Sequence, residues 1–348
     1  MIKNVDIYQF RDSFGDHRQV GCLQIVTTTV KVPTFSIIIP AYKRADTLET
    51  AIRSALAQDF KGAYEVVIIN NDPEGAKEGN AIYDLIKKIS DNRISYYVNQ
   101  ENIGMSGNWN RAVSVSRSDN IVMVHDDVVL SEFVLSVYNE LLKKYDDITV
   151  MGVGSQDFYK GDIPHFCKPD SITYSRATKL DFFFARYVGI AGIFFKRHIA
   201  LEIGGFRDEL FPSQDAIFIF QAMLKGRVIR IENCLAGYGL GDNVSMNGDT
   251  PKRIALMTEA TRRSMANYEW PARLWMQCFG GAFFWQFVCA VETTWHVKLD
   301  KKELQEASGY GSEKKYFLTH KLMRLFQKAI SLYEKTKRKN SFEMEEYK

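Results

Sequence analysis

Cysteine is sparse in this sequence and is not arranged for chemistry. The five cysteines, Cys22, Cys167, Cys234, Cys278 and Cys289, are scattered, and no two form a CxxC pair. That spacing argues against a disulfide framework and against a zinc site, and it fits reduced thiols in a cytosolic compartment. An excess of one charge is also lacking: 45 Lys and Arg face 42 Asp and Glu, a formal net charge of +3. No global field follows from that balance, so no nucleic-acid partner is expected. The stretch 1–19, MIKNVDIYQFRDSFGDHRQ, is polar and broken by charges, and does not read as a signal peptide. Long apolar runs are scarce. The longest uncharged one, LWMQCFGGAFFWQFVCAV at 274–291, holds two glutamines and a Gly-Gly and barely reaches spanning length. It reads as a buried or interfacial helix, not a transmembrane one. No internal repeat is present.

What is present is a chain of 348 residues, 46% hydrophobic and 25% charged, enough to bury a substantial core in one large domain or two ordinary ones. After 33 weakly patterned residues, short, mostly apolar runs alternate with helical patterns. FSIII (35–39), YEVVIIN (64–70), ISYYVN (94–99), NIVMVH (120–125) and ITVMGVG (148–154) read as strands. Helices are expected between them, the first over DTLETAIRSALAQ with Asp46 as N-cap. This alternation predicts an α/β fold with a doubly wound, mostly parallel, Rossmann-like sheet. Beyond residue 155 the pattern loosens. RYVGIAGIFFK (186–196) and RVIRIE (227–232) read as strands, 214–225 as a helix, and everything from Thr250 on as a helical appendage ending in a basic amphipathic helix. The expected division is an extension over 1–33, a catalytic domain over 34–248 (nucleotide half 34–130, acceptor half 131–248) and a helical region over 249–348.

In such sheets ligands bind beyond the carboxyl ends of the strands. The segments there, PAYKR, NNDPEG, NQENIG and HDD, are all unusually polar. Asp126 and Asp127 side by side after a buried strand are costly without a positive partner, and Mg²⁺ or Mn²⁺ is a natural one. A solvated turn capping the helix near Ser131 is the plainer alternative. ENIGMSGNWNRAV brings two glycines and a helix N-terminus to the same side, where an anion is welcome. GGFRDELFPSQDAIF puts Asp215 at the start of an apolar helix, either as a first-turn acid or as a base aimed into the cleft.

Taken in order, P-A-Y-K-R, N-N-D, E-N-x-G, H-D-D, G-G-F and Q-D resemble the inverting glycosyltransferases of family 2, which have the GT-A fold; the resemblance covers roughly residues 34–245. It implies that Pro40, Ala41 and Tyr42 hold the base and ribose of a nucleotide-sugar donor, with Arg44 among the donor contacts. Asn71 stands where relatives often carry an acid that contacts uracil. Asn102 and Gly104 match the segment under the ribose and diphosphate, with Asn110 or Arg111 also in reach. His125 and Asp126 match donor contacts, and Asp127 matches the metal ligand for Mn²⁺ or Mg²⁺. Asp215 matches the general base, with Gln214 in place of the usual Glu. The loop 239–248 resembles one that closes on the diphosphate; Asp242, Asn243 and Ser245 are candidates there, with Lys252 or Arg253 as a source of positive charge.

The implied reaction moves a sugar, from a UDP-sugar by preference, onto a hydroxyl of a glycan or lipid-linked acceptor in bacterial surface polysaccharide synthesis. No covalent intermediate is needed, and no nucleophilic Ser or Cys stands out. The aromatic group Phe158, Tyr159, Phe166, Tyr174, Phe182, Phe183 and Phe184 is read as core or lid packing that also shapes the acceptor side. Trp270, Trp275, Trp285, Trp295 and the basic run 335–339 suit packing on the catalytic domain, a homodimer, or peripheral contact at the inner membrane face. Two other readings stand beside this one. A nucleotidyltransferase would want a glycine-rich phosphate loop, which PAYKRADT lacks. A degenerate nucleotide-sugar-binding or scaffold domain is suggested by Asn70-Asn71 and His125.

Overall fold

The computed structural model describes residues 4–159, 162–241, 243, 246–316, 319, 321–326, 328 and 340–344. After an edge strand, β1 (Cys22–Val26), the apolar, β-branched-rich runs become the middle of a sheet. Strands β2 (Phe35–Ala41) and β3 (Tyr64–Asn70) are buried at every position, as two covered faces demand. They pair in parallel from Phe35 opposite Tyr64 to Ala41 opposite Asn70. Strands β4 (Ile94–Asn99) and β5 (Asn120–Met123) extend the parallel block on its two sides. The connecting helices are α1 (Ala45–Leu56), α2 (Ala81–Ile89) and α3 (Gly104–Val115). Helix α1 buries Leu48, Ala51, Ile52 and Ala55, one helical stripe. It begins at Ala45, so Asp46 lies in its first turn and is not its N-cap.

The second half is mixed. Strand β6 (Val128–Leu130), helix α4 (Val134–Lys144), β7 (Ile148–Tyr159), β8 (Ser171–Arg176), α5 (Lys179–Phe183), β9 (Ile193–Lys196), α6 (Arg197–Ile203), α7 (Gln214–Met223) and β10 (Arg227–Leu240) follow in turn. Strand β9 inserts antiparallel between β5 and β7. Strand β10 pairs in parallel with β7 and antiparallel with both β8 and β6.

Several strand expectations change. The run 186–196 is extended strand only over its last four residues, because 186–192 crosses a sheet face as a loop. A Cβ on Gly152 would lie 2.3 Å from Val188 Cγ1 and 2.5 Å from the Gly189 carbonyl, so backbone and loop touch there. Conversely, β7 and β10 continue to Tyr159 and Leu240, and their paired tails run to the cleft.

The C-terminal region is helical, as its pattern implies: α8 (Thr250–Tyr268), α9 (Trp270–Thr294) and α10 (Lys301–Ser308). Strand β11 (Asn340–Glu343) then adds to β8. Helix α9 is long and apolar enough to cross a membrane, with mean hydropathy 1.4, and 44% of that window is buried in the fold. Phe283, Phe284, Trp285, Val288 and Val291 form its buried face. Phe283 meets Phe183 of α5 edge-on at 5.4 Å. The N-terminal segment joins the same cluster. Ile7 is fully buried, and its amide donates to Ser264 Oγ of α8 at 3.1 Å. The basic run 335–339 lies outside the described residues.

Candidate active site

Strand β2 has β3 on one side and β5 on the other, so the chain reverses its direction of travel across the sheet at β2. A crevice forms at such a point, beyond the carboxyl ends of the two strands. Pro40 and Ala41 end β2, and His125-Asp126-Asp127 follow β5. A cleft of about 700 Å³ opens between them. It is lined by Pro40, Ala41, Tyr42, Arg44, Asn71, Asn102, Gly104, His125, Asp126, Asp127 and Asp215, residues separated by up to 175 positions in the chain.

The acidic pair is already partly compensated from within. The Arg44 guanidinium lies across both carboxylates. Its Nε donates to Asp126 Oδ2 at 3.1 Å, and its Nη1 and Nη2 donate to Asp127 Oδ2 at 3.3 and 3.2 Å. A further bond from Nη2 reaches Asp126 Oδ1. Burial pushes the Asp126 carboxyl up to about 6, against the pull of Arg44. Asp127 keeps one oxygen in reserve: its Oδ1 is buried and has no hydrogen-bond partner. A buried carboxylate oxygen without a donor is costly, and a hard cation satisfies it. Among the described residues no group of three or more His, Cys, Asp or Glu could hold a metal, so Asp127 would share one with a ligand rather than enclose it. His125 stacks on Trp109 at 5.1 Å, its Nε2 is buried without a partner, and burial lowers its pKa, which favours the neutral ring.

Asn71 has a different role from a base-reading side chain. Its Oδ1 accepts from Asn99 Nδ2 and the Ile103 amide, and its Nδ2 donates to Asn102 Oδ1 and the Gly104 carbonyl. Every hydrogen-bonding position of the amide is taken. An acid here would point a second acceptor at two acceptors, which explains the departure from the family's usual residue. Asn108 joins the network by accepting from Asn99 and donating to the Ile69 carbonyl. Gly104, at φ +74°, turns the chain into α3.

Asn110 and Arg111 are not part of the cleft. The Asn110 amide donates to the Phe206 carbonyl and accepts from the Phe206 amide, both at 2.8 Å, clamping α3 to the Gly204-Gly205-Phe206 turn. Arg111 donates to the carbonyls of His17 and Val20. The turn needs glycine. Gly204 has φ +89°, and a Cβ on it would sit 1.9 Å from the Arg11 carbonyl oxygen. This clamped turn leads to Asp215, in the first turn of α7. One carboxylate oxygen of Asp215 accepts from the Ala216 amide at 2.7 Å, and burial raises its pKa. Gln214 beside it donates to Met105 Sδ at 3.3 Å.

From the loop after β10, Asn243 Nδ2 reaches Asp127 Oδ2, the Tyr238 hydroxyl and the Gly239 carbonyl, each at 3.1 Å. Asp242 and Ser245 lie outside the described residues. Lys252 is paired with Asp249 and Glu303, and Arg253 packs on Phe211; neither lines the cleft. None of the seven expected aromatic residues lines it either. Tyr174, Phe182 and Phe183 are core, while Phe158 borders a smaller cavity of about 260 Å³ beside Asp127. The aromatic wall comes instead from Trp109, Phe211 and Tyr238. Trp109 was detectable in principle, one helical turn beyond Met105 on the same face of α3. Tyr238 carried no signal, because it lies beyond the expected end of its strand.

Residues 36–195, which hold β2, β5 and the acidic pair, match the family described as Glycosyl transferase family 2. They form a glycosyltransferase family 2 domain. A Campylobacter jejuni protein named GalNAc(5)-diNAcBac-PP-undecaprenol beta-1,3-glucosyltransferase is 26% identical over 191 residues, covering 54% of this chain and 59% of that protein. An uncharacterised Mycobacterium tuberculosis protein is 24% identical over 220 residues, 59% of this chain and 66% of its own length. The chain thus spans about three fifths to two thirds of these two relatives. Among solved structures, S. aureus TarS 1–349 in complex with UDP-GlcNAc superposes with a TM-score of 0.56 at 15% identity, over 78% of each chain. The mannosyltransferase PcManGT from Pyrobaculum calidifontis, in complex with GDP-Man and Mn²⁺, gives 0.52 at 14% identity, over 89% of this chain and 84% of the other. These likenesses establish the GT-A fold around the family 2 domain.

Proposed function

We propose that this chain is an inverting glycosyltransferase that moves a sugar from a nucleoside-diphosphate donor, a UDP-sugar by preference, to a hydroxyl of a glycan or lipid-linked acceptor. The observation that carries the reading is the single cleft in which the β2 loop, the amide loop, the acidic pair and Asp215 converge. Family membership supports glycosyl transfer as the activity. The diphosphoundecaprenol-linked glycan in the C. jejuni relative's name supports surface polysaccharide synthesis, and with it a place at the cytoplasmic membrane face.

Each side chain then has a task. Pro40, Ala41 and Tyr42 bound the nucleotide end of the cleft. Asn71 holds Asn102 and Gly104 in place from behind. Asp215, with its pKa raised by burial, is a better proton acceptor than an exposed carboxylate and removes the proton of the attacking hydroxyl. Attack from the face opposite the leaving group inverts the anomeric carbon. Asp127, with its spare Oδ1, would hold Mn²⁺ or Mg²⁺; when bound, such an ion neutralises charge on the leaving nucleoside diphosphate. Arg44, freed from the acidic pair, can bind phosphate oxygens.

The seat of Arg44 on both carboxylates favours a second reading, a nucleotide-sugar-binding domain without transfer. Donor hydrolysis in Mn²⁺ separates the two. The wild type should release nucleoside diphosphate from at least one sugar donor, and Asp127→Ala should lose about 10²-fold or more. Equal rates in both proteins, or none in either across a donor panel, would sink the transferase reading.

A further inference from the structure

The cleft does not end at Asp215. It opens into a second cavity of about 560 Å³, within the size range of small-ligand sites. Ile190, Pro212, Asp215, Tyr238 and Ile254 line both spaces, so Asp215 stands on their shared wall. The last turns of α9 also line it, through Phe287, Val291, Thr294 and the following Trp295. This α9 wall lies outside the family 2 match and outside every residue assigned above.

The lining chemistry is selective. No Lys, Arg or His is among the described residues that line this cavity; the charged ones are Asp157 and Asp215. Arg262 lies behind the wall, 5.5 Å from the Phe287 ring centroid, but it is buried and bonded to the carbonyls of Phe183 and Phe283. An anionic group entering here would meet two carboxylates and no counter-charge. Trp295 and Phe287, in contrast, offer aromatic surface that suits the C–H face of a sugar ring. Ser155 and Thr294 supply hydroxyls for its polar edge.

We propose that this cavity is the acceptor subsite and that it takes an uncharged sugar ring, packed against Trp295 and Phe287 with one hydroxyl toward Asp215. The proposal rests on the transferase reading above. The helical region beyond residue 249 is thereby a specificity element and more than an appendage.

Saturation-transfer NMR on the full chain with UDP or GDP present tests it, using methyl β-glucopyranoside and the corresponding methyl glucuronide as probes. Ring protons of the neutral glycoside should receive saturation and those of the glucuronide should not. Trp295→Ala should weaken neutral-glycoside binding about tenfold, and Trp295→Phe should restore part of it. Thr294→Lys, at an exposed position, should admit the glucuronide, a gain that misfolding cannot mimic. Equal signals from both probes, none from either in protein that binds the nucleotide, or indifference to Trp295→Ala would overturn this inference alone. Failure of both nucleotides to bind the wild type would overturn the transferase reading along with it.

Discussion

As the proposed base, Asp215 would trade stability for reactivity. Burial raises its pKa, so the ionised form is less favourable in the folded chain than in the unfolded one. The sign follows directly: the carboxyl binds its proton more tightly when folded, so stability falls as pH rises through the folded pKa. Asp215→Asn should therefore melt higher than the wild type at pH 7 by calorimetry, while transfer falls about 10²- to 10⁴-fold. The acid limb of kcat/KM in the wild type should lie above the ordinary carboxylate value of about 4. A variant that melts higher and still transfers at a near-normal rate would show that Asp215 is not the base. Arg44 makes a second case at this scale. Arg44→Ala leaves two neighbouring carboxylates, one of them 5% exposed, without their cation. Manganese affinity, read by electron paramagnetic resonance, should rise, because the ion no longer competes with a guanidinium.

At the scale of elements, the amide network decides the shape of the β4–α3 connection. Asn71→Ala leaves the buried amide of Ile103 without its partner and should cost about 1–3 kcal/mol in urea unfolding. Asn71→Asp should cost more, since a carboxylate repels the Asn102 and Gly104 oxygens that the amide holds. Gly204→Ala should cost at least about 1–2 kcal/mol, because left-handed backbone and the Arg11 carbonyl both oppose a Cβ. These elements also mark what the sequence reveals and what it hides. The strands of the parallel block are legible because a strand covered on both faces must be mostly apolar and rich in β-branched residues, as FSIII and YEVVIIN are, the one charge in the latter, Glu65, being buried against Arg117. The polar ends after β2 and β5 are legible for the same reason, since each polar loop interrupts an apolar run. The tail of β10 is not: NCLAGYGL holds two glycines, and only pairing with β7 and β6 keeps it extended. Nor could Asn110 be told from Asn108. Both lie on α3, and only the tertiary fold turns one toward Phe206 and the other toward Ile69.

Across the whole molecule, the family 2 domain and the helices after it share one core. Phe283 of α9 meets Phe183 and belongs to one buried cluster with Ile217 and Ile7, so that cluster draws on both ends of the chain. Phe283→Ala should lower unfolding free energy by about 3–5 kcal/mol. Because α9 also lines the cavity that Asp215 borders, acceptor KM should rise in that variant more than donor KM does.

The bond from Ile7 to Ser264 joins residues 257 positions apart. Pairings among β2, β3 and β4 close much shorter loops, and loop-closure cost rises with separation. Refolding from denaturant should therefore be sequential: the parallel block of β2, β3, β4 and β5 acquires protection from hydrogen exchange first, and residues around Ile7 acquire it together with α8 and α9. A folding intermediate of that kind would present a formed donor cleft while its acceptor wall was still undocked.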